Sequence, residues 1–137
     1  MLDATICKKL RDFTLDLTIR ARPGEIVVLM GENGAGKSSA LNSISGLISP
    51  DTGSVRLKDS VLFDSGTRVD VPVENRRIGY VFQNPAVFPH ISVRDNIAFG
   101  LKARHSPPAF IQEQVEHWLT VMNIRDLADV RAGNLSG

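Results

Sequence analysis

Apolar residues Phe13, Leu15, Leu17 and Ile19 alternate with Thr14, Asp16 and Thr18. That period of two predicts a half-buried antiparallel strand within a strand-and-turn stretch over residues 5–19. The pattern then changes. Residues 25–30 form a short, nearly continuous apolar run entered through Pro23-Gly24, which predicts a parallel strand buried on both faces. Leu41, Ile44 and Ile48 follow at helical spacing, and Gly46 falls near the expected helix end. A turn cluster at residues 49–53 leads to short strands at 54–57 and 60–63 and a polar loop at 64–68. Residues 72–77 are a polar approach to a strand at 78–82, which Asn84-Pro85 breaks. From Ser92 the chain reads as helical. Ser92 is placed to cap a helix with Asp95 as its partner, and Val93, Ile97 and Leu101 share one face. Ser106-Pro107 starts a second helix, with the proline at its first position and Ile111, Val115, Trp118 and Met122 as a core stripe. Residues 125–130 read as a last short helix. The order is β-rich, then strand-loop-helix, then β, then helices, which is an α/β arrangement.

Composition narrows the class without changing that picture. The chain has 137 residues, enough for one core, with 42% hydrophobic and 23% charged residues, which excludes a disordered class. The formal net charge of +1 gives no sign of a nucleic-acid partner or an anionic membrane surface. Cys7 is the sole cysteine, so no internal disulfide forms and a reducing compartment fits; Cys7 reads as a buried small residue rather than a reactive thiol. No apolar run approaches the roughly 20 residues of a membrane span, and the N-terminus lacks a secretion pattern. A cytoplasmic protein is expected, soluble or peripheral to a membrane through a protein partner. His105 and His117 are not at ligand spacing with each other or with Cys7, so no zinc site is supported.

The segment that carries chemistry is Gly31-Glu32-Asn33-Gly34-Ala35-Gly36-Lys37-Ser38, of the form G-x-x-x-x-G-K-[ST], with Ser39 beside it. Gly31, Gly34 and Gly36 allow backbone angles that a Cβ disfavours, so the N–H groups of residues 31–39 can curl around phosphate oxygens. The following helix aims its positive dipole end at the same place. Lys37 can reach the β- and γ-phosphates, and the Ser38 hydroxyl suits Mg²⁺. The strand before the loop and the helix after it are the setting this motif requires. ATP or GTP is the expected ligand.

Three further segments make the match more specific. Pro50-Asp51-Thr52-Gly53-Ser54-Val55, Ile78-Gly79-Tyr80-Val81-Phe82-Gln83 and Leu135-Ser136-Gly137 follow the loop in that order. With them the chain resembles the ATP-binding subunit of ABC transporters, as the turn after the Walker A helix, the strand ending in the Q-loop glutamine, and the first three residues of the L-S-G-G-Q signature. The stretch from Val61 to Ser65, Arg76-Arg77 before the Q-loop strand, and Phe88-Pro89-His90-Ile91-Ser92-Val93-Arg94-Asp95-Asn96-Ile97 are similar to importers of oxyanions, molybdate first and sulfate next. The implied fold is the N-terminal portion of a P-loop NTPase of the ABC ATPase type. It has a β-rich subdomain, a Walker A strand-loop-helix and a helical subdomain, with the core sheet incomplete. Residues 1–91 would be the nucleotide-binding and β portion, and 92–137 the helical subdomain ending in a partial signature.

The resemblance also implies roles. Lys37 and Gln83 would be catalytic, Ser38 and Gln83 would hold Mg²⁺, and Ser136 and Gly137 would face the nucleotide of a second subunit in a head-to-tail homodimer. Phe13 reads first as core packing and alternatively as the aromatic that stacks on adenine. His90 is either an ordinary loop histidine or part of the surface that receives a membrane permease. The parent would be an ATP hydrolase peripheral to the inner face of the cell membrane. The sequence as it stands carries no Walker B strand ending in Asp-Glu, so it is expected to be truncated and to hydrolyse ATP poorly alone. Val61-Leu62-Phe63-Asp64 imitates that strand but precedes the Q-loop. The alternatives are a non-hydrolytic or vestigial nucleotide-binding module, and a non-transport ABC ATPase, for which the block at 92–130 is too short to hold a coiled-coil insertion.

Overall fold

The computed structural model describes residues 1–84 and 86–135. They form two compact units that divide between Tyr80 and Val81, ahead of the expected boundary at 91.

The first unit is built on five strands: β1 (Leu2–Lys9), β2 (Thr14–Ala21), β3 (Thr52–Leu57), β4 (Ser60–Asp64) and β5 (Val69–Asp70). Their order is β2-β1-β3-β4-β5, and every neighbouring pair is antiparallel. The register sets Ala4 between Ile19 and Val55. Because side chains alternate, one face collects Ala4, Ile6, Leu15, Ile19 and Val55, with Phe63 of β4 opposite Val55; the register shifts past that pair, which leaves Leu62 as an extra residue that joins the same core. Helix α1 (Lys37–Ser45) adds Ala40 and Ile44 to the same core. Removing each large aliphatic from water contributes about 1.5–3 kcal/mol. The other face is polar: the Thr5 and Thr18 hydroxyls lie 3.3 Å apart, and Arg20 pairs with Asp3 at 3.2 Å.

Two expected strands are not formed. Residues 25–30 and 78–82 belong to none of the strands of the described sheet. Leu29 and Ile78 pack against the core, but Ile26 and Met30 are each 89% exposed and Val81 is 96% exposed. The physical reason is that a parallel strand is stable only with hydrogen-bonding neighbours and helices on its faces. The described β-sheet is antiparallel and does not extend to them. Strand β5 and a 3₁₀ turn at Val73–Asn75 were not expected, because two- and three-residue elements leave no period to read.

The second unit holds α2 (Val93–Ala103), α3 (Pro108–Val121) and 3₁₀ turns at Arg125–Leu127 and Ala132–Asn134. Val93, Ala98, Val115, Leu119 and Ala128 form its core. The expected stripe on α3 is corrected here. Trp118 and Met122 are exposed and Leu119 is fully buried, so the stripe runs 111, 115, 119. Steps of four fit a helix as well as mixed steps of four and three, and the large side chains drew the sequence reading to the wrong face. Helix α3 also starts one residue later than expected, with Pro107 as its N-cap and Pro108 at the first position. The last helix shrinks to the turn at Arg125–Leu127.

Ser92 caps α2 as expected. Its Oγ accepts from Asp95 N at 3.1 Å and donates to Asp95 Oδ2 at 2.8 Å. The bond from Lys102, then that from Ser92, holds the Asp95 carboxyl below the usual carboxylate range. A depressed folded value means this stabilisation is fully present above the unfolded value, near ~3.9. It is lost as pH falls through the lower folded value. Ser92→Ala is expected to cost about 1 kcal/mol at neutral pH, with the cost shrinking below pH ~4. Urea unfolding across that pH range checks it; a cost that does not change with pH would contradict the role given to the carboxylate.

Candidate functional site

Residues 31–36 leave the extended segment as a turn and run directly into α1. Gly31, Gly34 and Gly36 have φ of 157°, 85° and 86°. The last two lie in the left-handed region that side chains disfavour. Gly36 is also pressed against its surroundings: a Cβ there would lie 3.1 Å from Leu15 Cδ1 and 3.2 Å from Phe13 Cζ. At Gly34 a Cβ would meet nothing within 4 Å. The loop is therefore tucked against β2 on one side and open on the other.

The ammonium of Lys37 donates to Gly31 O at 2.8 Å and to Glu32 O at 2.6 Å, which holds it across the loop. Two of its three donors are engaged and one remains. The first-turn N–H groups of α1 have no intrahelical partner, and the N-cap Gly36 has no side chain to cap them. Ala35 N closes the turn on Glu32 O at 3.2 Å. The Ser38 side chain is exposed, and Ser39 is partly buried beside it. An open cradle of glycines, free helix N–H groups and a fixed ammonium fits a polyphosphate with an accompanying divalent cation.

Gln83 is exposed and belongs to the second unit, in a bend rather than at a strand end. Leu135 is exposed, and Ser136 and Gly137 lie outside the described residues. Phe13 is corrected: it precedes β2 instead of belonging to it, is 41% exposed, and lies beside the loop backbone at Gly36. Strand alternation carried it into the core on paper, but β2 begins one residue later. Phe88 packs on Phe99 with centroids 4.2 Å apart, and His90 meets Phe88 edge-on at 6.3 Å. Asp64, the nearest imitation of a catalytic acid, is a turn cap. Its Oδ1 accepts from Thr67 N at 3.0 Å and from Gly66 N at 2.9 Å, which lowers its pKa.

Arg76 is buried against the end of α1, a place the sequence reading did not foresee. It is 2% exposed, and its guanidinium reaches the C-terminal end of α1. In sequence it looked like part of a polar approach to a strand. The usable signal was Arg76 itself, an arginine a few residues before an apolar run.

Comparison with known proteins agrees with this geometry. A family model described as ABC transporter matches residues 14–137. The molybdenum import ATP-binding protein of Paramagnetospirillum magneticum is 41% identical over 137 residues, which is all of this chain and 37% of that protein. The molybdate/tungstate import ATP-binding protein of Thermococcus kodakarensis is 40% identical over 133 residues, 96% of this chain and 38% of that protein. The chain thus spans somewhat over a third of the length of these relatives. Among solved structures, a nucleotide-free ATP-binding cassette from an ABC transporter superposes with a TM-score of 0.72 at 25% identity, over 98% of this chain and 58% of that one. A dimeric ATP-binding cassette in a post-hydrolysis state bound to ADP and phosphate gives a TM-score of 0.75 at 22% identity, over 99% and 63%. The matched fold, the ordered motifs and a family model covering most of the sequence lead to one conclusion: this chain belongs to the ABC transporter family, as a part of its ATP-binding domain.

Proposed function

We propose that residues 31–39 bind the phosphates of MgATP and that the protein carrying them energises import of a small oxyanion such as molybdate. The observation that carries the reading is the Lys37 ammonium held across a glycine loop that is open at Gly34 and continues into α1. Mg²⁺, when bound, would neutralise charge between the β- and γ-phosphates. The Ser38 hydroxyl is its expected protein ligand in this unit. Lys37 exchanges its carbonyl partners for phosphate oxygens, a charge-assisted contact. Phe13, exposed beside Gly36, offers a face on which adenine can stack.

In this reading Ser136 and Gly137 act on the nucleotide of a second copy in a head-to-tail dimer, and the exposed aromatic group of Phe88, His90 and Phe99 meets a membrane permease. The protein works on the cytoplasmic side, held at the membrane by that permease; none of the described helices is long and apolar enough to cross a bilayer. The names of the relatives support molybdate or tungstate as cargo. Uptake of radiolabelled molybdate by cells lacking the gene is the test. Restoration by the wild-type gene and not by Lys37→Ala is expected; undiminished uptake in the deleted strain would contradict the cargo. A non-hydrolytic nucleotide-binding role is the second reading, favoured by the turn-cap use of Asp64.

A further inference from the structure

Helix α1 carries the phosphate loop at one end and is thinly anchored at the other. Its buried residues are Ala40, Ser43, Ile44 and Ser45, so one isoleucine and one alanine supply the apolar hold; Leu41 is exposed. The C-terminal turn is held by polar contacts instead. Arg76 Nη1 donates to Ser43 O at 3.1 Å and to Ile44 O at 3.0 Å. The same guanidinium donates through Nε to Val71 O at 2.7 Å and through Nη2 to Asp70 Oδ1 at 2.8 Å. Asp70 in turn accepts from Ser49 Oγ at 2.7 Å. Tyr80 adds a second tie, donating to Asn42 Oδ1 at 2.6 Å.

Gly46 makes room for the guanidinium. It ends α1 with φ 89°, and a Cβ there would lie 2.5 Å from Arg76 Nε and 2.7 Å from its Cζ. The helix C-terminus is where a cation is favoured by the dipole and where carbonyls lack partners. A planar fork can serve four acceptors at fixed angles, which an ammonium cannot.

We propose that Arg76, seated over Gly46, is a positioning residue that sets the orientation of α1 and through it the placement of the phosphate loop. Nine residues at ~1.5 Å each make α1 about 13 Å long. A tilt of only a few degrees at the Arg76 end therefore moves Lys37 and Ser38 by about 1 Å, enough to cost on the order of 10²-fold in a reaction. The inference rests on the reading of the loop as a nucleotide site.

The test uses the full natural protein and measures MgATP binding by calorimetry at a temperature where each variant stays folded. Under that condition lost stability alone leaves the dissociation constant unchanged. Arg76→Met and Gly46→Ala are each expected to weaken binding about tenfold, less than the full loss of a charge-assisted contact. The double variant is expected to be no worse than the more affected single one, because both remove the same fork. Leu119→Ala, a core truncation in the helical unit, is expected to lower the unfolding temperature without changing affinity. Should Arg76→Met fail to fold, Arg76→Lys keeps the charge and stem but not the fork, and carries the same expectation. Affinity unchanged in Arg76→Met, or Arg76→Lys, and in Gly46→Ala, while Lys37→Ala is impaired, overturns the inference alone. Affinity unchanged in Lys37→Ala overturns the nucleotide reading and this inference with it.

Discussion

A polypeptide of residues 1–137 is expected to release phosphate from MgATP at least a thousandfold more slowly than the ~1 s⁻¹ common to enzymes. Phosphoryl transfer needs positioning, charge neutralisation and a group that orients or deprotonates the attacking water. In the proposed reading the loop and Lys37 supply the first two. For the third, two of the described strands end in an acid: Asp70 is tied to Arg76 and Ser49, and the carboxylate of Asp64 is engaged by Gly66 N and Thr67 N and paired with Arg56 at 3.7 Å. Those bonds hold its pKa down, which makes it a weak base. Gln83 is a neutral amide and can orient water but not take its proton. Steady-state phosphate release is the measurement. A rate near ~1 s⁻¹ that disappears in Lys37→Ala would contradict the expectation, and Glu32, inside the loop, would be the first acid to examine.

The same polypeptide is expected to self-associate in solution. Ile26, Val28 and Met30 stand exposed in a segment outside the strands of the described sheet, and Val81 does so after Tyr80. Unpaired backbone groups beside apolar side chains are a template for another chain. The helical unit should be spared, because Val93, Ala98, Val115, Leu119 and Ala128 close a core of their own. Light scattering after size exclusion, with thermal unfolding at several concentrations, is the check. Mass rising with concentration and a transition that shifts with it are expected. A monodisperse monomer with a concentration-independent transition would mean that residues 25–30 are covered within this chain.

How much of this was legible in the sequence depends on range. Local signals held. The glycine loop, the Ser92 cap with Asp95, the helix end at Gly46 and the short strands expected at 54–57 and 60–63, which the structure extends to Thr52–Leu57 and Ser60–Asp64, depend on backbone chemistry within a few residues. The loop was readable because its glycines, lysine and serine are fixed by one another's spacing. What failed depended on partners elsewhere. Residues 25–30 have the composition of a buried strand, but composition does not supply the neighbour that makes one. Trp118 and Leu119 are adjacent and both apolar, and only packing against α2 decides which faces inward. Arg76 read as part of a polar approach to a strand because two of its four acceptors, Ser43 O and Ile44 O, are distant backbone atoms that no side-chain pattern marks.

The central claim is that residues 31–39 form the nucleotide site, with Lys37 as its fixed cation. Titration calorimetry of MgATP into the full natural protein and into its Lys37→Ala variant tests this most directly. Removing the ammonium deletes a charge-assisted contact to the phosphates, and affinity should fall by about 1.5–3 kcal/mol, or roughly 10- to 150-fold. Equal affinities in the two proteins would contradict the assignment of the loop.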